Sequence, residues 1–167
     1  KDGSGFFYAR YPEPEAGAAF QKLNLNQKVY LHKLGTPQSE DKLVFARPDE
    51  PTWGFQCTVS DDGKYVIITA WKGTDDKYRV YYKSIDNLNA EATHLVGEFD
   101  AEYSFIGNDG PQFYFRTDKN APQRRMIAID ITRPQPEQWR ELIAESPNVL
   151  EEIRLVGNQF FASYLKD

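Results

Sequence analysis

The chain has 167 residues, enough for one ordinary domain. Its net charge of −5 argues against a nucleic-acid or anionic-membrane surface, which would need clustered Lys and Arg, so we expect neither kind of partner. No apolar run approaches the roughly 20 residues of a membrane span, and the single cysteine, Cys57, excludes an internal disulfide.

Along the chain, four glycines are each followed within a few residues by a run of bulky side chains that predicts a β-strand. They are Gly5, Gly63, Gly110 and Gly157. The last three stand 47 residues apart, and the first precedes the second by 58. A strand-turn-strand unit that repeats every ~40 to 50 residues is typical of a radial all-β array, a β-propeller, in which each small sheet stacks on its neighbours.

The other strands recur in the same order in every unit. The next strand is predicted at 28–32, 78–82 and 124–129, the one after it at 42–45, 94–96 and 139–143, and the strand before each later glycine turn at 53–60, 102–107 and 150–156. These runs are rich in aromatic and β-branched residues and are bounded by Gly, Pro, Asn and Asp. Asp62-Gly63 and Asp109-Gly110 are hairpin turn sequences.

The strand count predicts two complete four-stranded antiparallel blades flanked by partial ones. Residues 1–47 would supply the last three strands of one blade, 48–99 and 100–147 the two full blades, and 148–167 the first two strands of another. We therefore expect a fragment of a larger propeller, whose open strand edges invite pairing with another chain. The alternative is a self-contained β-sandwich with irregular loops.

The residue types that carry catalysis are sparse. His32 and His94 are the only histidines, and neither has further ligands at metal-site spacing. There is no Gly-x-Ser-x-Gly nucleophile elbow and no phosphate-binding glycine loop. Paired carboxylates such as Asp75-Asp76 are explained as turn residues, and Cys57 as a small buried apolar residue. The sequence predicts no catalytic residue, no metal site and no cofactor in this chain.

Two motifs resemble the propeller of the prolyl oligopeptidases, a family of serine peptidases. They are Leu-Gly-Thr-Pro-Gln-Ser-Glu-Asp at 34–41 and Ser-Asp-Asp-Gly-Lys-Tyr at 60–65, and they stand at the mutual spacing found in that family. The resemblance implies a seven-bladed propeller joined to an α/β-hydrolase domain that carries a Ser-Asp-His triad. The parent protein would be a serine-type endopeptidase that cuts short peptides after proline, and this chain alone would be inactive.

The resemblance also implies roles for particular parts of the chain. The propeller would cap the active site, gate substrate size and form part of the substrate wall, with the hydrolase domain of the same protein and short proline-containing peptides as its partners. Three substrate-binding positions fall at Gly54, Thr74 and Trp71, where animal members carry a methionine, a cysteine and an arginine, respectively. The alternative is that Trp71 packs between blades and Gly54 serves a β-bulge.

The connection from Pro12 to Asn26 is long for a blade turn. By the resemblance it would help to gate substrate entry, and without the hydrolase domain it would be mobile or make foreign contacts. The parent protein is expected to be cytoplasmic, with the periplasm as the alternative. A free-standing propeller that serves as a protein-interaction scaffold is the alternative function.

Overall fold

A computed structural model describes residues 3–13 and 23–166. Four antiparallel sheets follow one another along the chain. The first contains β1 (Gly5–Arg10), β2 (Lys28–Lys33) and β3 (Lys42–Ala46). The second contains β4 (Trp53–Val59), β5 (Tyr65–Lys72), β6 (Tyr78–Ser84) and β7 (Thr93–Val96). The third contains β8 (Tyr103–Asp109), β9 (Gln112–Thr117), β10 (Arg125–Asp130) and β11 (Arg140–Ile143), and the last β12 (Val149–Val156) and β13 (Gln159–Leu165).

The predicted fold class is confirmed. Within each sheet the strands lie side by side in chain order, and the two complete sheets have four strands each. Over residues 3–13 and 23–166 the sheets do not close into a ring. The blade boundaries at residues 47, 99 and 147 stay a prediction, and each falls in a connection between two sheets. Short 3-10 turns at Gln38–Glu40, Ile85–Asn87 and Pro136–Gln138, each before the last strand of a sheet, were not predicted.

Three apolar layers hold the sheets together, one between each pair of consecutive sheets. In the first layer Val29 and Phe45 meet Phe55 and Ile68. The second layer joins the two four-stranded sheets, and the third packs the last two strands against the third sheet. This arrangement is that of stacked propeller blades, and the alternative of a two-sheet sandwich is wrong.

Glycine occupies the hairpin turns that the repeat predicted. Gly63, Gly110 and Gly157 have φ of 72°, 53° and 58°, in the left-handed region where a side chain is strained. Gly5 differs, because it begins β1 and lies outside that region, while the turn before it contains Gly3 at φ 76°.

The long connection predicted at Pro12–Asn26 is described only in part. Residues 14–22 lie outside the described residues, so the expectations of mobility and gating stay predictions. Across the described ranges, no helix has the length and apolar character needed to cross a membrane.

Candidate functional site

An open groove of about 460 Å³ lies between the second and third sheets. One wall consists of side chains from β4, β5 and β6 and from the β5–β6 connection, and the other wall comes from β8. The residues that line it are Gln56, Thr58, Ile67, Thr69, Trp71, Gly73, Thr74, Asp75, Asp76, Tyr78, Tyr103, Ser104 and Phe105. Two of the three predicted substrate-binding residues, Trp71 and Thr74, are therefore brought together in one groove.

The alternation of side chains along β5 explains why this strand contributes to the groove. Ile67, Thr69 and Trp71 project from one face of the sheet and line the groove. The intervening residues Ile68 and Ala70 are fully buried in the first apolar layer on the opposite face. Because successive strand residues point to opposite faces, one strand serves the core and the groove at once.

Gly54 lies directly beneath the indole of Trp71. The two residues are partners across the β4–β5 pair. A Cβ atom at Gly54 would lie 2.3 Å from Trp71 Cε2, 2.4 Å from Cζ2 and 2.6 Å from Nε1. Cε2 is a ring-fusion carbon that lies between Cζ2 and Nε1. If the Cβ atom lay in the plane of the ring, Cζ2 and Nε1 would be closer to it than Cε2, so it lies over the ring face. The flat face of the indole therefore rests on the Gly54 backbone.

This geometry changes what was expected of Gly54. The register between β4 and β5 runs unbroken from Trp53 to Val59, so the alternative that Gly54 serves a β-bulge is wrong. Gly54 is buried and is not among the groove-lining residues, because the indole of Trp71 fills the space above it. Its predicted contact with substrate stays a prediction, and the structure gives it a contact with Trp71.

The connection between β5 and β6 carries polar groups at one end of the groove. Thr74, Asp75 and Asp76 are all exposed. The hydroxyl of Tyr78 donates a hydrogen bond to Asp76 Oδ1 at 3.2 Å. Burial raises the pKa of Tyr78, and the negative charge of Asp76 adds to that increase. Tyr78 therefore stays a neutral hydrogen-bond donor at neutral pH.

The opposite wall is anchored by Glu102, which sequence analysis missed. Ser104 Oγ donates to Glu102 Oε1 at 2.8 Å, Arg116 pairs with the same oxygen, and Arg124 Nε lies 2.9 Å from Oε2. Burial alone would raise the pKa of Glu102, but the bonds from Arg116 and Ser104 outweigh it and lower that pKa. Glu102 thus stays ionised and holds the groove residue Ser104 in place.

The histidines have structural partners. His32 Nδ1 lies 2.7 Å from Asp41 Oδ1, and Tyr8 donates its hydroxyl hydrogen to the same carboxylate. His94 Nε2 lies 2.8 Å from the carbonyl oxygen of Gly97, so this nitrogen carries the hydrogen. The contact of His32 joins β2 to the residue that precedes β3, and the contact of His94 lies at the end of its own strand, β7. In the part of the chain that the structure describes, no three His, Cys, Asp or Glu side chains form a potential metal-ligand group.

The single thiol has the environment of an unreactive core residue. Cys57 is half-buried and packs against the first apolar layer. Burial raises the pKa of its thiol to about 11, which keeps the group protonated at neutral pH.

Stacked four-stranded antiparallel sheets with a polar groove between them define this chain as a segment of a β-propeller. The whole chain, residues 1–167, matches the family described as prolyl oligopeptidase, N-terminal β-propeller domain. The chain belongs to that family, and the resemblance found in its sequence motifs is confirmed.

Individual relatives show how much of a longer protein the chain represents. It is 35% identical to the prolyl endopeptidase of Elizabethkingia meningoseptica over 163 residues, which are 98% of this chain and 23% of that protein. It is 36% identical to prolyl oligopeptidase A of Galerina marginata, with 99% and 23% covered. The chain therefore spans less than a quarter of the length of these relatives.

Solved structures agree with the sequence matches. The chain resembles prolyl oligopeptidase B of Galerina marginata, bound to a 35mer hydrolysis and macrocyclization substrate, with a TM-score of 0.87 and 31% identity. That match covers 98% of this chain and 23% of the other. A prolyl endopeptidase, one of two analysed for the role of inter-domain dynamics, matches with a TM-score of 0.86 and 35% identity, with 98% and 23% covered.

Proposed function

We propose that this chain is the propeller portion of a prolyl-specific serine endopeptidase that cleaves short peptides after proline. The observation that carries the proposal is the match of all 167 residues to the propeller domain of the prolyl oligopeptidases. Relatives at 33–36% identity are named prolyl endopeptidase or prolyl oligopeptidase. The comparisons give no support to the alternative of a free-standing interaction scaffold.

In this proposal the chain binds and restricts substrates, and the α/β-hydrolase domain of the same protein performs the chemistry. Among the described residues, neither histidine lines the groove, and its one serine, Ser104, donates to Glu102, whose pairing with Arg116 and Arg124 lowers its pKa and makes it a weak base. The isolated chain is accordingly inactive. In the whole protein, the propeller portion that this chain represents caps the active site and limits access to short peptides.

The groove between the second and third sheets is the proposed part of the substrate wall. It is open to solvent, and it contains Trp71 and Thr74, two of the positions that the family resemblance predicts to contact substrate. A flexible peptide segment fits such a cleft, where an aromatic face and a few polar groups orient the ligand. Gly54 contributes by letting the indole lie flat.

The test compares the full-length product of the gene with the 167-residue chain on a fluorogenic Gly-Pro substrate. We expect only the full-length product to release the fluorophore, and a serine-reactive phosphonate to abolish that release. A matched Gly-Ala substrate serves as the control for proline specificity. Equal cleavage of both substrates, or no cleavage by the full-length product, would contradict the proposal.

Size gating needs a separate assay. Proline-containing peptides of about 6, 12, 25 and 50 residues, followed by a folded protein with an exposed proline loop, are offered to the full-length product. We expect the cleavage rate to fall steeply as size increases. A rate that does not depend on size would remove the gating role while leaving the peptidase activity in place.

A further inference from the structure

We propose that the groove selects peptides carrying a lysine or arginine a few residues upstream of the scissile proline. This inference rests on the proposed function and adds a substrate class to it. It follows from three features of the groove: an aromatic platform, an apolar floor, and carboxylates without a basic residue among the lining side chains.

The platform is the indole of Trp71. Its lower face is covered by Gly54, as the ring-fusion contact shows, so the opposite face is the one available to the groove. An ammonium or guanidinium group within ~6 Å of a tryptophan ring centre is attracted by the ring quadrupole, which at an exposed site corresponds to about a two- to fivefold gain in affinity. Glutamate would gain nothing from the same ring.

The floor suits the aliphatic part of a basic side chain. The floor is formed mainly by Phe105, which lines the groove and is half-buried; Ile67 also lines the groove but is only 1% exposed and adds little surface. Lysine and arginine bury their methylene stems along such surface while the charged end stays in water. A side chain that enters along this floor reaches toward the β5–β6 connection, where the polar groups are found.

The negative charge of the groove comes from the carboxylates of Asp75 and Asp76. The thirteen lining residues include these two carboxylates and no lysine or arginine. Asp76 already accepts from Tyr78, which fixes its position at the groove mouth. Lys77 is exposed beside them but does not line the groove. Each exposed ion pair adds about a 1.5- to 5-fold gain, and less at high salt.

The experiment uses the full-length product and three fluorogenic peptides that differ at one position, the residue two before the proline. That residue is lysine, norleucine or glutamate, so that stem length is kept while charge changes. We expect kcat/KM to be about tenfold higher for lysine than for glutamate at low salt, from the summed ring and carboxylate contacts. The ratio should shrink in about 0.5 M NaCl because the carboxylates are exposed.

Variants assign the preference to the groove. The double variant Asp75→Asn with Asp76→Asn should reduce the lysine-to-glutamate ratio at least threefold, with the lysine peptide losing more than the norleucine peptide. Trp71→Leu should reduce the ratio independently. The matched control is Asp86→Asn, an exposed carboxylate in the 3-10 turn that follows β6, remote from the groove, and it should leave the ratio unchanged.

The outcomes separate this inference from the proposed function. If none of the peptides is cleaved after proline, the proposed function fails. If all three are cleaved with equal kcat/KM, the peptidase function stands and the basic preference is overturned. The inference is also overturned if lysine is preferred but the double variant and Asp86→Asn have the same effect, because the preference would then arise elsewhere.

Discussion

At the scale of single residues, the missing side chain at Gly54 determines where the Trp71 indole lies. Gly54→Ala would place a methyl group 2.3 Å from Trp71 Cε2, so the indole must leave its position. We expect a loss of about 1–3 kcal/mol in the free energy of unfolding, as for other overpacked sites. Denaturant unfolding of the full-length product, followed by tryptophan fluorescence, measures this loss.

A double-mutant cycle with Trp71→Ala provides the control. In the Trp71→Ala background the clashing ring is gone, so Gly54→Ala should lower the free energy of unfolding much less. The coupling energy between the two substitutions should be about 0.5–3 kcal/mol. Equal costs in the two backgrounds would show that the methyl group meets something other than the indole.

The ion pairs of Glu102 should stabilise the folded protein less in acid than at neutral pH. Because the pKa of Glu102 is lowered below its ordinary value of 4.5, its stabilising contribution is complete above that pH and is lost as pH falls through the folded-state value. Glu102→Gln leaves Arg116 and Arg124 without their partner. We expect a cost of about 2–3 kcal/mol at pH 7, below the ~3–5 of a fully buried pair because both arginines are partly exposed.

The pH dependence distinguishes this account from simple loss of packing. Other carboxylates also have lowered pKa values, so the measured quantity is the difference in unfolding free energy between wild type and Glu102→Gln at each pH. That difference should be constant from pH 7 to about 5 and shrink below about 4.5. A difference that does not change with pH would mean that the ionised state of Glu102 is not what stabilises the protein.

At the scale of elements, the β4–β5 turn is bonded to the next sheet through Asn108. The backbone N–H of Asp61 donates to Asn108 Oδ1 at 2.9 Å, and Asn108 Nδ2 donates to the carbonyl oxygen of Gly110 at 2.9 Å. Asn108→Ala removes both bonds at a buried position, so we expect a cost of about 1–3 kcal/mol. Hydrogen exchange at the Asp61 amide should accelerate, whereas Asn89→Ala, at an exposed position, should leave both quantities unchanged.

The strands were predictable from the sequence, and the side-chain contacts between distant parts of the chain were not. Strand composition and glycine turns are local signals, and the hairpin turn at Asp62-Gly63 fixes the register of its two strands. Counting outward from that turn pairs Gly54 with Trp71, so this contact was predictable from the sequence as well. By contrast, Glu102 with Arg124, and Asp61 with Asn108, join residues 22 and 47 positions apart. The first contact joins the ends of two strands of the third sheet that are not neighbours, and the second depends on how two sheets stack, so no local pattern encodes either.

At the scale of the whole molecule, each apolar layer is made by two consecutive sheets, and the outer faces of the first and last sheets have no such neighbour in this chain. Phe6 on the first sheet is 50% exposed, and Phe161 and Leu165 on β13 are 56% and 53% exposed. Phe161 and Leu165 are four residues apart and so share one face of the strand. β13 also presents an unpaired backbone edge.

These open edges predict that the isolated 167-residue chain associates with itself. Unpaired strand edges beside exposed apolar side chains favour pairing between chains at micromolar to millimolar concentrations, and about 100 μM is a suitable upper point for sedimentation. We expect dimers or larger species there. Phe161→Lys with Leu165→Lys should shift the chain toward monomer, because charged side chains on an edge strand oppose such pairing. The matched control, Asn87→Lys with Asn89→Lys, adds the same charge at exposed positions away from both ends. A wild-type monomer at every concentration, or equal behaviour of the two double variants, would show that the edges are shielded within the chain itself.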